Sequence, residues 1–92
     1  MSETVRYIVT VKGYVQGVGF RYFCYKLAKS MGVFGYVRNL YNGDVELDLE
    51  GVEGILNDYV KELRIGPHNS VVKNVEVHRL ENSVHYKEFS IK

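Results

Sequence analysis

The sequence has few of the features that mark disulfide-bonded, membrane-spanning or secreted proteins. Its 92 residues include one cysteine, Cys24, one proline and no tryptophan. A single cysteine excludes an internal disulfide and fits a reducing compartment. No apolar run approaches the ~18 residues of a membrane span, and Glu3 stands where a signal peptide needs a basic residue. We therefore expect a cytoplasmic protein with no signal peptide and no membrane partner.

The chain also lacks an excess of charge of either sign. Twelve Lys and Arg residues face eleven Asp and Glu residues, which gives a net charge of +1. This balance argues against a protein that holds nucleic acid or anionic lipid by bulk charge. With 46% hydrophobic and 25% charged residues, the chain should fold unaided as one domain over residues 1–92. We expect a monomer.

Hydrophobic periodicity predicts six main elements and one short addition. Alternation and β-branched residues predict strands at 5–13, 33–41, 44–51 and 71–80, with a short edge strand at 86–92. Apolar residues at helical spacing predict helices from Phe20 to Met31 and over about 52–65. Gly32 and Gly66-Pro67 are typical of helix ends, and Asn42-Gly43 predicts a hairpin turn.

The order β-α-β-β-α-β predicts an α+β, ferredoxin-like fold, with two helices on one face of an antiparallel sheet. In this topology the first two strands are parallel and joined by a helix, so their carboxyl ends lie at the same edge. The loop at 14–20 should therefore meet the end of the second strand at Asn39. Arg21, at the start of the helix, should lie beside both.

The loop itself, in GYVQGVGFRY (13–22), is typical of an anion site. Gly13, Gly17 and Gly19 allow main-chain N–H groups to turn inward at positive φ. Such groups at a helix N-terminus form an anion-binding nest, and the Arg21 fork suits two oxyanion oxygens. The spacing fits neither a Walker loop nor a dinucleotide fingerprint. A small oxyanion such as phosphate is the expected guest.

The chemical groups that this loop lacks limit the reactions that it could catalyse. It has no Ser, Cys or His nucleophile, and the sequence has no paired carboxylates or His/Cys cluster that suggests a metal. Cys24 falls in the apolar stripe of the first helix and is expected to be a packed thiol. A mixed carboxylic-phosphoric anhydride needs no catalytic group to expel its leaving group, because the leaving carboxylate has a parent acid pKa of ~4. The residues favour an activated phosphate but do not separate catalysis from anion binding.

Two motifs together resemble the acylphosphatase family. GYVQGVGFR (13–21) is similar to its Gly-x-Val-Gln-Gly-Val-Gly-Phe-Arg loop, and GYVRN (35–39) is similar to its Gly-aromatic-Val-x-Asn strand. Glu50-Gly51 and Gly66-Pro67 continue the likeness, which covers nearly the whole chain. Asn42-Gly43 in place of Asp-Gly and a more polar GPHNSVV segment (66–72) are small departures.

The resemblance implies an acylphosphatase that hydrolyses acyl phosphates to carboxylate and inorganic phosphate, without metal, cofactor or covalent intermediate. It implies that Arg21 binds the phosphoryl group and that Asn39 orients the attacking water. The phosphate-binding residues it implies are Val15, Gln16, Gly17, Val18, Gly19, Phe20 and Arg21. From the residues themselves, Gln16 is expected to brace the loop and Tyr22 to be partly buried.

Two other classes of protein remain as alternatives. An RNA-recognition domain can share this element order and display aromatic residues on its open sheet face. Here the third strand is expected to display Asp44, Glu46, Asp48 and Glu50 on that face, which disfavours RNA, and Arg6 and Lys12 are expected to pair with some of them. A carrier or regulatory module that binds an anion without turnover is the other alternative.

Overall fold

The computed structural model describes residues 3–92 and contains the expected elements in the expected order. The strands are β1 (Thr4–Tyr14), β2 (Phe34–Asn39), β3 (Val45–Val52), β4 (Val71–Leu80) and β5 (Phe89–Ile91), and the helices are α1 (Phe20–Met31) and α2 (Glu53–Ile65). The strands form one sheet in the order β4-β1-β3-β2-β5. No helix among residues 3–92 is long and apolar enough to cross a membrane.

Four strands pair antiparallel, and the fifth makes the sheet mixed. β3 lies between β1 and β2 and is antiparallel to both, so β1 and β2 run in the same direction, as expected. β5 pairs with the outer edge of β2 in parallel, from Gly35 opposite Phe89 to Val37 opposite Ile91. The antiparallel sheet expected from the sequence is therefore extended by one short parallel strand.

The core lies between the helices and one face of the sheet. Alternate residues of β1 and β3, including Val9, Val11, Leu47 and Leu49, are fully buried there. Cys24 of α1 lies in the same core, and burial raises the pKa of its thiol to about 12, so it is a packed thiol as expected.

The opposite face of β3 differs from expectation, because two of its carboxylates are buried. Arg6 donates two hydrogen bonds to Asp48, of 2.8 and 2.6 Å, and Lys12 pairs with Asp44 at 2.9 Å. These two ion pairs confirm the expected pairing with β1. Asp48 and Glu50 are nonetheless each only 3% exposed. The sequence did not predict this burial, because strand alternation shows which face a side chain lies on but not what covers that face.

Glu50 is covered by the segment 83–86, which folds around its carboxylate. The Ser83 hydroxyl and the main-chain N–H groups of Val84, His85 and Tyr86 donate to it at 2.6–3.2 Å. Burial alone would raise the pKa of Glu50, but these donors outweigh it and lower the pKa to about 2. The carboxylate thus fixes the segment that leads into β5.

Replacing Glu50 by Gln should lower the free energy of unfolding by about 1.5–3 kcal/mol at pH 7, since hydrogen bonds to a charged acceptor are lost. The lowered pKa means that the Glu50 contribution is complete above pH 4.5 and is lost as pH falls towards about 2. Urea unfolding across this range should show the two proteins converging in stability on acidification. Glu53→Gln, at an exposed ion pair, is the control and should cost less than about 1 kcal/mol. A Glu50→Gln deficit equal to the control, or constant with pH, would contradict this account.

Candidate active site at the ends of strands β1 and β2

The loop between β1 and α1 carries the backbone geometry of an anion nest. Gly17 and Gly19 have φ values of +75° and +77°, in the left-handed region. A Cβ atom at either position would meet nothing within 4 Å, so conformation, not space, calls for glycine there. Gly13 lies within β1, inside the strand predicted over 5–13, at a register irregularity beside β4.

The N–H groups of this loop are available for a ligand. Within the described part of the chain, no amide from residues 15–20 donates a hydrogen bond to another protein group. The helix that follows has Gly19 as its N-cap, with no side-chain cap and no acidic residue in its first turn. Its positive dipole end therefore faces the same place as the free amides.

Arg21 and Asn39 meet at this loop, as the topology predicted. Both line a hollow of about 220 Å³. Its other lining residues are Val15, Gly17, Gly19, Phe20, Tyr22 and Ile91. Residues far apart in sequence thus converge on one concave surface rich in hydrogen-bond donors.

Arg21 is held in place from the far end of the chain. One Nη1 group donates a 3.0 Å hydrogen bond to the main-chain oxygen of Lys92, which follows directly after β5. The N–H of Lys92 in turn donates to the oxygen of Val37 on β2 at 2.8 Å. The remaining guanidinium N–H groups have no partner among residues 3–92 and can bind an oxyanion. Because the hydrogen bond to Lys92 already restricts the side chain, binding costs less conformational entropy.

Gln16 ties the loop to the turn between β2 and β3. Its Nε2 donates to the main-chain oxygens of Leu40 and Asp44, each at 2.8 Å. This confirms the bracing role expected from the sequence, and it fixes the loop against the residue next to Asn39. The turn itself is closed by a Leu40 N–H to Asp44 oxygen bond and spans three residues, one more than the two-residue turn that Asn42-Gly43 suggested.

Two of the loop residues expected to bind phosphate do not line the hollow. The Gln16 side chain is directed to the turn, and Val18 packs partly buried against the core. Any contribution of these two residues to an anion would come through their main-chain N–H groups.

Sequence reasoning missed three residues at this place. Tyr22 lines the hollow and is 60% exposed, where a partly buried ring was expected, and Ile91 lines it from β5. Lys92 holds Arg21 through its main-chain oxygen. The available signal was the short apolar strand at the chain end, but which edge it joins is not encoded in its alternation.

The described residues include no group of three or more His, Cys, Asp or Glu side chains arranged to hold a metal ion. The donors that line the hollow are main-chain amides, a guanidinium and a carboxamide. They match the requirements of a small oxyanion.

Comparison with known proteins identifies the family. The acylphosphatase family model matches residues 7–91. The chain belongs to the acylphosphatase family. It is 45% identical to an acylphosphatase of Thermotoga petrophila, over 91% of this chain and 92% of that one.

Solved structures agree with the family assignment. The crystal structure of acylphosphatase from Bacillus subtilis superposes with a TM-score of 0.93 at 35% identity, covering 96% of this chain and 98% of that one. A full-length HypF structure in a phosphate- and nucleotide-bound form matches with a TM-score of 0.88 at 26% identity, covering all of this chain and 12% of that one. Acylphosphatases are hydrolases that act on acid anhydrides, and this chain shares their ferredoxin-like fold.

Gly19→Ala tests the backbone geometry of the loop. Alanine in the left-handed region costs about 1–2 kcal/mol, so the free energy of unfolding should fall by that amount in urea denaturation. Gly54→Ala is the matched control, since Gly54 lies in α2 with open space around it. That variant should keep or raise stability, by up to about 1 kcal/mol. Equal effects of the two substitutions would contradict the left-handed backbone geometry at Gly19.

Proposed function

We propose that this chain hydrolyses acyl phosphates in the hollow between the 15–20 loop and the end of β2. The single observation that carries the proposal is the convergence of Arg21, Asn39 and the free loop amides on one hollow. The phosphoryl oxygens accept hydrogen bonds from the loop N–H groups and from the Arg21 guanidinium. Asn39 orients the attacking water, and the products are a carboxylate and inorganic phosphate.

Electrostatics support the assignment of Arg21. A guanidinium in the first turn of a helix lies beside the positive dipole end, which is unfavourable by about 0.3–1 kcal/mol. α1 carries no acidic residue in that turn to offset it. A doubly charged phosphoryl group satisfies the guanidinium, the dipole and the amides together. The site is therefore built for an occupant of negative charge.

Every proton and electron pair that moves in the reaction can be accounted for by water and the substrate. Water attacks phosphorus in line with the acyl oxygen, a P–O bond to water forms, and the bond to the acyl oxygen breaks with its electron pair. One water proton stays on the attacking oxygen, and the other passes to a phosphoryl oxygen. The leaving carboxylate is stable at neutral pH because the pKa of its parent acid is ~4. The protein therefore acts by positioning the substrate and the water and by stabilising the charge of the transition state.

Arg21→Ala removes the charged donor from the transition state. We expect kcat/KM for benzoyl phosphate to fall at least about 10²–10³-fold, equivalent to ~2.7–4 kcal/mol, and competitive inhibition by inorganic phosphate to weaken. The assay follows the loss of benzoyl phosphate absorbance. Arg64→Ala is the matched control, because Arg64 is an exposed arginine in the last turn of α2, and it should retain wild-type kinetics. Full activity of Arg21→Ala would overturn the assignment.

Asn39→Ala separates water positioning from phosphate binding. The variant should lose kcat while the inhibition constant of inorganic phosphate changes little, because the loop amides and Arg21 remain. Asn74→Ala, at an exposed asparagine on β4, is its control. Unchanged turnover in Asn39→Ala would show that another group orients the water.

The same assay tests the alternative of an anion-binding module. Such a module would bind inorganic phosphate, seen by calorimetry, and leave benzoyl phosphate at its uncatalysed rate of hydrolysis. Turnover that inorganic phosphate inhibits competitively supports the hydrolase. Binding of phosphate without turnover would replace the proposed function by anion binding.

A further inference from the structure

The hollow that contains Arg21 and Asn39 has a second wall of different chemistry. It is lined by Tyr22 and Ile91, two residues that are 60% and 42% exposed. The other large apolar lining residues, Val15 and Phe20, are buried in the core. The accessible apolar surface of the hollow therefore comes from one aromatic ring and one branched aliphatic side chain.

The Tyr22 ring is fixed by its neighbours on α1. It stacks on the ring of Tyr25, with 6.3 Å between centroids and 21° between planes. The Lys26 ammonium lies 5.7 Å from the Tyr22 centroid. These contacts follow from the i, i+3 and i, i+4 spacing on a helix. A ring that is already held loses little entropy when a ligand packs against it.

Ile91 is fixed by a different element. It pairs with Val37 in the parallel β2–β5 ladder, and the N–H of the next residue donates to the Val37 oxygen at 2.8 Å. Two independently held apolar groups thus border the polar part of the hollow. The hollow of about 220 Å³ therefore offers one ligand an apolar wall as well as a polar one.

We propose that Tyr22 and Ile91 form an acyl-group subsite that favours substrates with an aromatic or branched apolar acyl group over substrates with a small one. The inference rests on the proposed function, because it takes the phosphoryl group to lie at Arg21 and the loop amides. With the phosphate end there, the acyl end reaches the remaining wall of the same hollow. Apolar acyl carbons bury surface against the ring and the isoleucine, which an acetyl group does to a smaller extent.

The experiment compares kcat/KM for benzoyl phosphate and acetyl phosphate in the wild type and in Tyr22→Ala, Tyr22→Phe and Ile91→Ala. The benzoyl-to-acetyl ratio should exceed one in the wild type and fall about 3- to 10-fold in Tyr22→Ala. Tyr22→Phe should keep the wild-type ratio, because the ring is kept. Ile91→Ala should lower it, whereas Ile65→Ala, which truncates an exposed isoleucine at the end of α2, should not.

The ratio is insensitive to a partly unfolded sample, since both substrates are assayed on the same preparation. The inhibition constant of inorganic phosphate gives a second readout and should stay unchanged in Tyr22→Ala. A ratio that Tyr22→Ala leaves unaltered, with both substrates still hydrolysed, would overturn the acyl subsite and leave the proposed function intact. Absence of turnover of either substrate by the wild type would overturn both.

Discussion

Free main-chain N–H groups at the start of α1 are the feature on which the rest of the site depends. The main-chain N–H groups of residues 15–20 donate to no other protein group within the described chain, and the helix N-terminus behind them has no side-chain cap. Such donors are costly to leave without a partner and are normally satisfied by a cap, water or a ligand. Four of these residues, Val15, Gly17, Gly19 and Phe20, line one hollow with Arg21, which is the arrangement of donors that favours an anion at a helix N-terminus.

The sheet places the second half of the site beside the first. Because β3 lies between β1 and β2, these two strands end at the same edge, and Asn39 arrives beside the loop. Gln16 then fixes the loop to the β2–β3 turn through two hydrogen bonds. Arg21 is restrained from the other side by Lys92. Three separate segments of the chain therefore hold one small polar surface in place.

Much of this arrangement was predictable from sequence, and the misses have physical causes. Helical and strand periodicity gave the element order, and topology alone brought Asn39 to the loop. Strand alternation also placed Glu50 on the correct face of β3, but it did not indicate that the segment 83–86 would bury it. The cover is built from main-chain N–H groups, which every sequence possesses. The side of the sheet that β5 joins, and hence the place of Ile91, was equally invisible to local pattern.

The most direct measurement is a titration of the ¹⁵N-labelled protein with inorganic phosphate, followed by NMR of its amides and side-chain N–H groups. The account predicts saturable shifts with a single affinity at the amides of residues 15–20, at the Arg21 guanidinium and at the Asn39 carboxamide. The amides of α2 should stay unchanged. Shifts confined to other surfaces, or different affinities at the loop and at Asn39, would contradict the claim that these groups share one anion.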